Sequence, residues 1–139
     1  SCMAINRKSL LVQNATGSTM NVTSSAVEGD SYYGYSDGLH TLAVKYNGFK
    51  GRVYVQGTLS LTPTEADWFN VQVPGGVSIN EGGYKQFPQT GTDGFTGMEG
   101  YNIVGNFAWI RIKFDRAHLG DGTTYLAAYG QIDSVRLSA

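Results

Sequence analysis

Two histidines, His40 and His118, and eleven carboxylates are the residues of this chain able to carry acid–base or metal chemistry. A hydrolytic nucleophile needs an adjacent base and a third group that orients that base, and no GxSxG occurs. His40 shares the apolar parity of its strand near the start, which reads as a partly buried histidine at a sheet end. His118, in Arg116-Ala117-His118-Leu119-Gly120, reads as a loop residue at the surface. Zinc takes three or four His, Cys, Asp or Glu ligands, usually in close pairs, and the sequence does not supply them. Glycosidases place two carboxylates about 5 to 10 Å apart. Here Glu28, Asp30, Asp37, Glu65, Asp67, Glu81, Asp93, Glu99, Asp115, Asp121 and Asp133 stand mostly beside glycine or in turns, where aspartate supports the bend through its own hydrogen bonds. Calcium can be held by scattered loop oxygens. Asp93-Gly94 and Gly120-Asp121-Gly122-Thr123 are the segments to inspect, although neither has EF-hand spacing. Gly75-Gly76 and Gly82-Gly83 lack the GK[ST] ending of a phosphate loop and read as turns. The expectation is a protein that is not an enzyme, with no catalytic residues, no metal and no cofactor.

Aromatic residues give a stronger signal, and it points to binding. Tyr32, Tyr33 and Tyr35 crowd one short polar segment from Asp30 to Asp37, while Tyr54, Trp109 and Arg111 fall on the outward parities of their strands. Exposed flat rings can stack on sugars or anchor a protein interface, because Tyr and Trp combine a large contact area with a polar handle. These six residues are the candidate interface or ligand-binding set. Packing is the competing reading: a loop can cover such a face, and Trp109 can lie on the stems of Arg111 or Lys113.

Strands must position these rings. Leu42, Val44 and Tyr46 alternate with Thr41, Ala43 and Lys45; beyond Asn47-Gly48-Phe49-Lys50-Gly51, Val53, Val55, Leu59 and Leu61 alternate with Arg52, Tyr54, Gln56, Thr58 and Ser60. Period-two alternation on both sides of a short glycine-containing loop predicts a β-hairpin over Leu39 to Leu61. Phe107 to Phe114 predicts a second strong strand, with Ala108, Ile110, Ile112 and Phe114 inward and Phe107, Trp109, Arg111 and Lys113 outward. Weaker strands are Ser9 to Gln13, Met20 to Thr23, Trp68 to Val73, Tyr101 to Val104 and Ile132 to Leu137. In the last, Ile132 is out of parity with Val135 and Leu137, which predicts a bulge or a later start. Thr62 to Asp67 reads as one capped helical turn leading into Trp68. Pro74 to Gly83, Thr90 to Gly100 and His118 to Thr124 read as loops. Several short strands with glycine-rich turns predict an all-β fold: a single antiparallel β-sandwich, jelly-roll-like domain over residues 3–139.

Composition agrees. The chain has 139 residues, enough for one domain with a real core. It is 41% hydrophobic and only 15% charged, and its 19 glycines and nine tyrosines suit turns and pleated strands. Net charge is −1 and the Lys and Arg residues are dispersed, so no basic face is marked out for nucleic acid. No apolar stretch approaches the roughly 18 residues of a membrane span, and no secretory leader pattern is seen. Ser1-Cys2 before Met3-Ala4-Ile5 reads as a non-native remnant, leaving a native chain without cysteine.

The motif order resembles one family. His40-Thr41-Leu42-Ala43-Val44, Gly51 to Leu59 and Pro63-Thr64-Glu65-Ala66-Asp67-Trp68-Phe69 are similar to small β-sandwich structural proteins of tailed bacteriophages, especially marine T4-like phages. Gly100 to Lys113 and Gly130 to Leu137 resemble the same proteins, so the likeness spans residues 38 to 137. It implies a non-enzymatic particle protein on head, neck or tail, working as a homo-oligomer and with other virion proteins. It also implies location in the virion after assembly in the host cytoplasm. It carries over no catalytic residues. The absence of a coiled-coil or fibre segment argues against a fibre shaft. Because similar sandwiches also bind carbohydrate, the alternative is a glycan-binding module using Trp109, Tyr54 or the Tyr32 to Tyr35 loop.

Overall fold

The computed structural model describes residues 9–35 and 37–138; the reading of Ser1-Cys2 lies outside them. The ten strands are β1 (Ser9–Gln13), β2 (Val22–Thr23), β3 (Val27–Glu28), β4 (Leu39–Phe49), β5 (Gly51–Thr58), β6 (Phe69–Val71), β7 (Lys85–Phe87), β8 (Phe95–Val104), β9 (Trp109–Asp115) and β10 (Gln131–Ser138). They form two antiparallel sheets. One has the order β1-β10-β4-β8; in the other, β9 and β5 lie side by side, β2 and β3 pair with the far edge of β9, and β6 and β7 with the far edge of β5. Counted as single broken strands, β2 with β3 and β6 with β7 make this a four-on-four jelly roll. No helix among the described residues is long and apolar enough to cross a membrane.

The core lies between the sheets. Leu42, Val44, Tyr46 and Phe49 from β4 meet Val53 and Val55 from β5, Ile110, Ile112 and Phe114 from β9, and Ile132, Val135 and Leu137 from β10, all essentially without solvent exposure. The inward set expected for Ala108 to Phe114 is therefore found, and so is the bulge between Ile132 and Ser134.

The hairpin over Leu39 to Leu61 does not form. β4 pairs with β10 and β8, and β5 pairs with β9, β6 and β7, so at Lys50 the chain crosses from one sheet to the other. The crossing is made by Phe49, fully buried between the sheets, and Gly51 at φ 150°, where a Cβ would strike Arg116 and Phe49. Leu59 and Leu61 lie past the end of β5 and are exposed. The loop expected from Thr90 to Gly100 ends early, because β8 already begins at Phe95. Phe107, expected outward, is buried just before β9, where Gly57 leaves room for its ring.

A polar chain closes one side of the sandwich. The Tyr46 and Tyr101 hydroxyls are 2.7 Å apart, the Tyr101 hydroxyl donates to Glu99 Oε1 at 2.6 Å, and Lys85 Nζ donates to the same oxygen at 2.8 Å. Burial, first of all, pushes both phenols above the ordinary tyrosine range. Tyr101→Phe strands the buried Tyr46 hydroxyl, so we expect a loss of about 1–3 kcal/mol in urea unfolding. An unchanged midpoint would show that the chain of hydroxyls is dispensable.

Candidate functional site

The outward face of β9 and β5 gathers the predicted residues. Trp109, Arg111 and Lys113 project from β9, and Arg52, Tyr54 and Gln56 from β5, because inward places on both strands are taken by the core. The register sets Tyr54 opposite Lys113 and Gln56 opposite Arg111.

At the upper end, a short 3-10 turn over Asp30–Tyr33 lays its rings on the sheet. Tyr32 meets Trp109 edge-on at 5.2 Å between centroids and Tyr33 at the same separation; Tyr33 and Tyr35 lie 6.4 Å apart. Trp109 Nε1 donates to Leu61 O at 3.0 Å, and the Tyr33 hydroxyl donates to Glu28 Oε2 at 2.9 Å. Tyr32 and Tyr33 remain 42% and 38% exposed, so this cluster packs internally and also presents a ring surface.

Arg111 is fixed from three sides. Its guanidinium forks onto Glu65 at 2.9 and 3.0 Å, its Nε donates to Gln56 Oε1 at 2.8 Å, and its plane lies 4.2 Å from the Trp68 ring. Glu65 is brought there by the capped turn expected before Trp68, in which Asp67 accepts the Thr64 N–H at 2.7 Å. The Arg111 hydrogen bonds hold the Glu65 carboxyl below its ordinary range.

The lower end was not foreseen. Tyr54 packs on Tyr84 at 5.4 Å, with Lys113 Nζ 5.9 Å from the Tyr54 ring. Arg52 lies 4.3 Å over Tyr84 and donates from Nε to Gln86 Oε1 at 3.0 Å. Among the described residues, no carboxylate lies within ion-pair distance of Arg52 or Lys113. Beside Tyr84 opens a groove of about 350 Å³ lined by Gly75, Gly76, Val77, Tyr84, Gln86, Pro88 and Gln89. The six candidates thus fall on one face in two groups, Tyr32, Tyr33, Tyr35 and Trp109 above and Tyr54 below, with Arg111 between. Arg52 already shared the outward parity of Tyr54, but Tyr84 and Trp68 carried no periodic signal.

Of the residues weighed for acid–base chemistry, Glu65 and Glu28 serve this face as partners of Arg111 and Tyr33, and the two histidines lie apart from it or at its margin. His40 is fully buried, with Nε2 3.1 Å from Gly105 O. His118 is exposed in a loop; partial burial and then the Arg52 charge hold its pKa below the ordinary value. Among the described residues no group of three or more His, Cys, Asp and Glu could hold a metal ion. Asp121 is committed to its own turn, accepting from the Thr123 and Thr124 N–H groups at 2.9 and 2.7 Å and from the Thr124 hydroxyl at 2.6 Å. These bonds, with Thr124 foremost, hold its carboxyl well below the usual value of 3.8. A depressed folded-state pKa contributes stability above the unfolded value and loses it only as pH falls through the lower folded value. NMR shifts of Thr123 and Thr124 should therefore stay constant on acidification to about pH 3; a midpoint near 4 would contradict this. Comparison with known proteins gives no matching family model, no matching curated protein and no matching solved structure.

Proposed function

We propose that this jelly roll is a non-enzymatic assembly module of a bacteriophage particle, which joins copies of itself through β8. The observation that carries the reading is the state of that edge. Among the described residues, the edges of the larger sheet are broken into pieces of two or three residues and β1 has five, but β8 runs for ten with no described strand on its outer side. Soluble proteins usually blunt such an edge with Lys, Pro or short length. β8 has neither Lys nor Arg nor Pro, and its single charge, Glu99, is already paired with Lys85.

A second copy fits this edge in a definite register. In an antiparallel two-fold pairing centred on Gly100, Met98 faces Asn102, Thr96 faces Val104, and Glu99 faces Tyr101. No like charges stand directly opposite, and the two Glu99 carboxylates, diagonal to each other across the centre, are each paired with the Lys85 of their own copy. Met98 and Val104, 64% and 75% exposed, become diagonal neighbours across the junction, within reach of each other. The two four-stranded sheets then form one of eight strands, and the aromatic face of the other sheet stays open for a second particle protein. Jelly rolls serve both capsids and lectins, so the particle assignment rests on the family resemblance of residues 38 to 137.

Light scattering on the purified chain tests self-association, and mass spectrometry of purified particles tests the location. The expected results are a dimer or larger even multimer at about 10 μM, a concentration well above a Kd of about 1 μM, and the chain among the particle proteins. A monomer at that concentration, or particles that lack the chain, would overturn the corresponding half of the proposal.

A further inference from the structure

We infer that the groove beside Tyr84 is a binding site for a carboxylated sugar of hexuronic-acid type. It lies on the sheet opposite to β8 and does not depend on self-association. Its volume of about 350 Å³ is at the small end of ligand sites, roughly 300–1,000 Å³. Its walls offer matched donors and acceptors. Gln86 accepts from Arg52 through Oε1, which leaves its NH2 group for a ligand. Gln89 donates to Gly75 O at 3.3 Å, which leaves its carbonyl oxygen to accept. The Tyr84 hydroxyl can do either. Gly75 and Gly76 complete the lining. Vicinal hydroxyls meet such a set of alternating amides well.

Arg52 is not itself a lining residue of the groove but stands beside two that are, and from that rim it supplies the acid-recognising element. Its plane is stacked on one wall residue, Tyr84, and its Nε is bonded to another, Gln86. Asp115 stands opposite it in the register, yet is not within ion-pair distance and accepts instead from the Ala117 N–H at 2.8 Å. The two Nη nitrogens make no hydrogen bond within the described structure, so they present a held, planar fork of the kind that takes a carboxylate bidentately. Lys113, on the far side of Tyr54, adds a second positive charge to the approach.

The test is an amide NMR titration of the whole protein with sodium galacturonate, galactose and sodium acetate as separate arms, repeated on Arg52→Gln and Gln89→Ala. The expected result is saturable shifts at Gly75, Gly76, Tyr84 and Gln86 with galacturonate, and at least tenfold weaker binding of galactose. Arg52→Gln should weaken galacturonate about tenfold, the usual loss for a charge-assisted hydrogen bond, and weaken galactose by clearly less, through the loss of the bond that holds Gln86. Gln89→Ala should weaken both sugars. Spectra elsewhere in the variants report that the fold is intact. Absence of shifts with galacturonate overturns the site. Equal affinity for galactose overturns the role of Arg52, and equal affinity for acetate overturns sugar recognition. Light scattering on the same samples reads self-association separately, so failure of one proposal is distinguishable from failure of the other.

Discussion

Arg116→Met is expected to cost about 3–5 kcal/mol of stability, because it takes the donor from three main-chain carbonyls at once. Arg116 is 1% exposed and is among the largest fully buried side chains of the protein. It donates to Tyr129 O at 2.9 Å, Gly130 O at 2.6 Å and Thr19 O at 3.0 Å, with its plane over Phe49 and Tyr125. One side chain therefore ties the end of β9 to the turn before β10 and to the loop before β2. Methionine fills part of the space but leaves those carbonyls short of donors, each at a cost of roughly 1–3 kcal/mol where no water enters. For a domain between the small and larger size classes this corresponds to a fall in Tm of roughly 10–20 °C. Arg116→Lys keeps the charge but not the fork, and should recover less than half of the loss. A methionine variant within about 1 kcal/mol of the parent in urea unfolding would show that the loops do not depend on this residue.

Val104→Lys should convert the self-associated protein into a monomer. In the two-fold pairing on Gly100, each junction contains Val104 twice, so the substitution places two cations at the seam, each beside a Met98 that gains nothing from them. Lysine on an edge strand is the usual natural device against such pairing. We expect a weakening of about a hundredfold, or roughly 3 kcal/mol. The fold should be unaffected, because Val104 makes no contribution to the core. A dimer that survives Val104→Lys would move the contact away from β8 and contradict the assignment.

The sequence made the strands legible where both neighbours in the chain obey one rule. Ala108, Ile110, Ile112 and Phe114 read cleanly as inward because β9 is central and one of its faces is covered by core, whereas Phe107, just before the strand, is buried against that reading. The Ile132 bulge was readable for the same reason: parity slips by one residue. The connection at Lys50 was not readable. Alternation reports which side chains face inward, and it is the same whether two successive strands pair with each other or sit in opposite sheets. Residues 95–100 looked like a loop because Gly97 and Gly100 weaken strand propensity and Thr96 and Met98 belong to an exposed face.

The candidate face was partly legible. Outward parity placed Trp109, Arg111 and Tyr54 on one surface, and Tyr32 to Tyr35 were conspicuous by crowding. Their partners come from elsewhere in the chain: Glu65 and Trp68 from a single capped turn, Tyr84 and Gln86 from a short piece beside glycines. Such groups acquire meaning only when β6 and β7 dock on β5, and the pairing of β7 with β5, strands that are not consecutive in the chain, leaves no local trace in composition or spacing.

Self-pairing through β8 is tested most directly by a cysteine at its centre. Gly100 is exposed and has room for a side chain, with only Leu42 O at 3.9 Å from an added Cβ. In a Cys2→Ser background, so that no other thiol is present, Gly100→Cys should oxidise to a covalent dimer. Thr96→Cys alone should not, since its opposite number is Val104, whereas Thr96→Cys with Val104→Cys should cross-link. Failure of Gly100→Cys to cross-link, or efficient linkage by Thr96→Cys alone, would contradict this register.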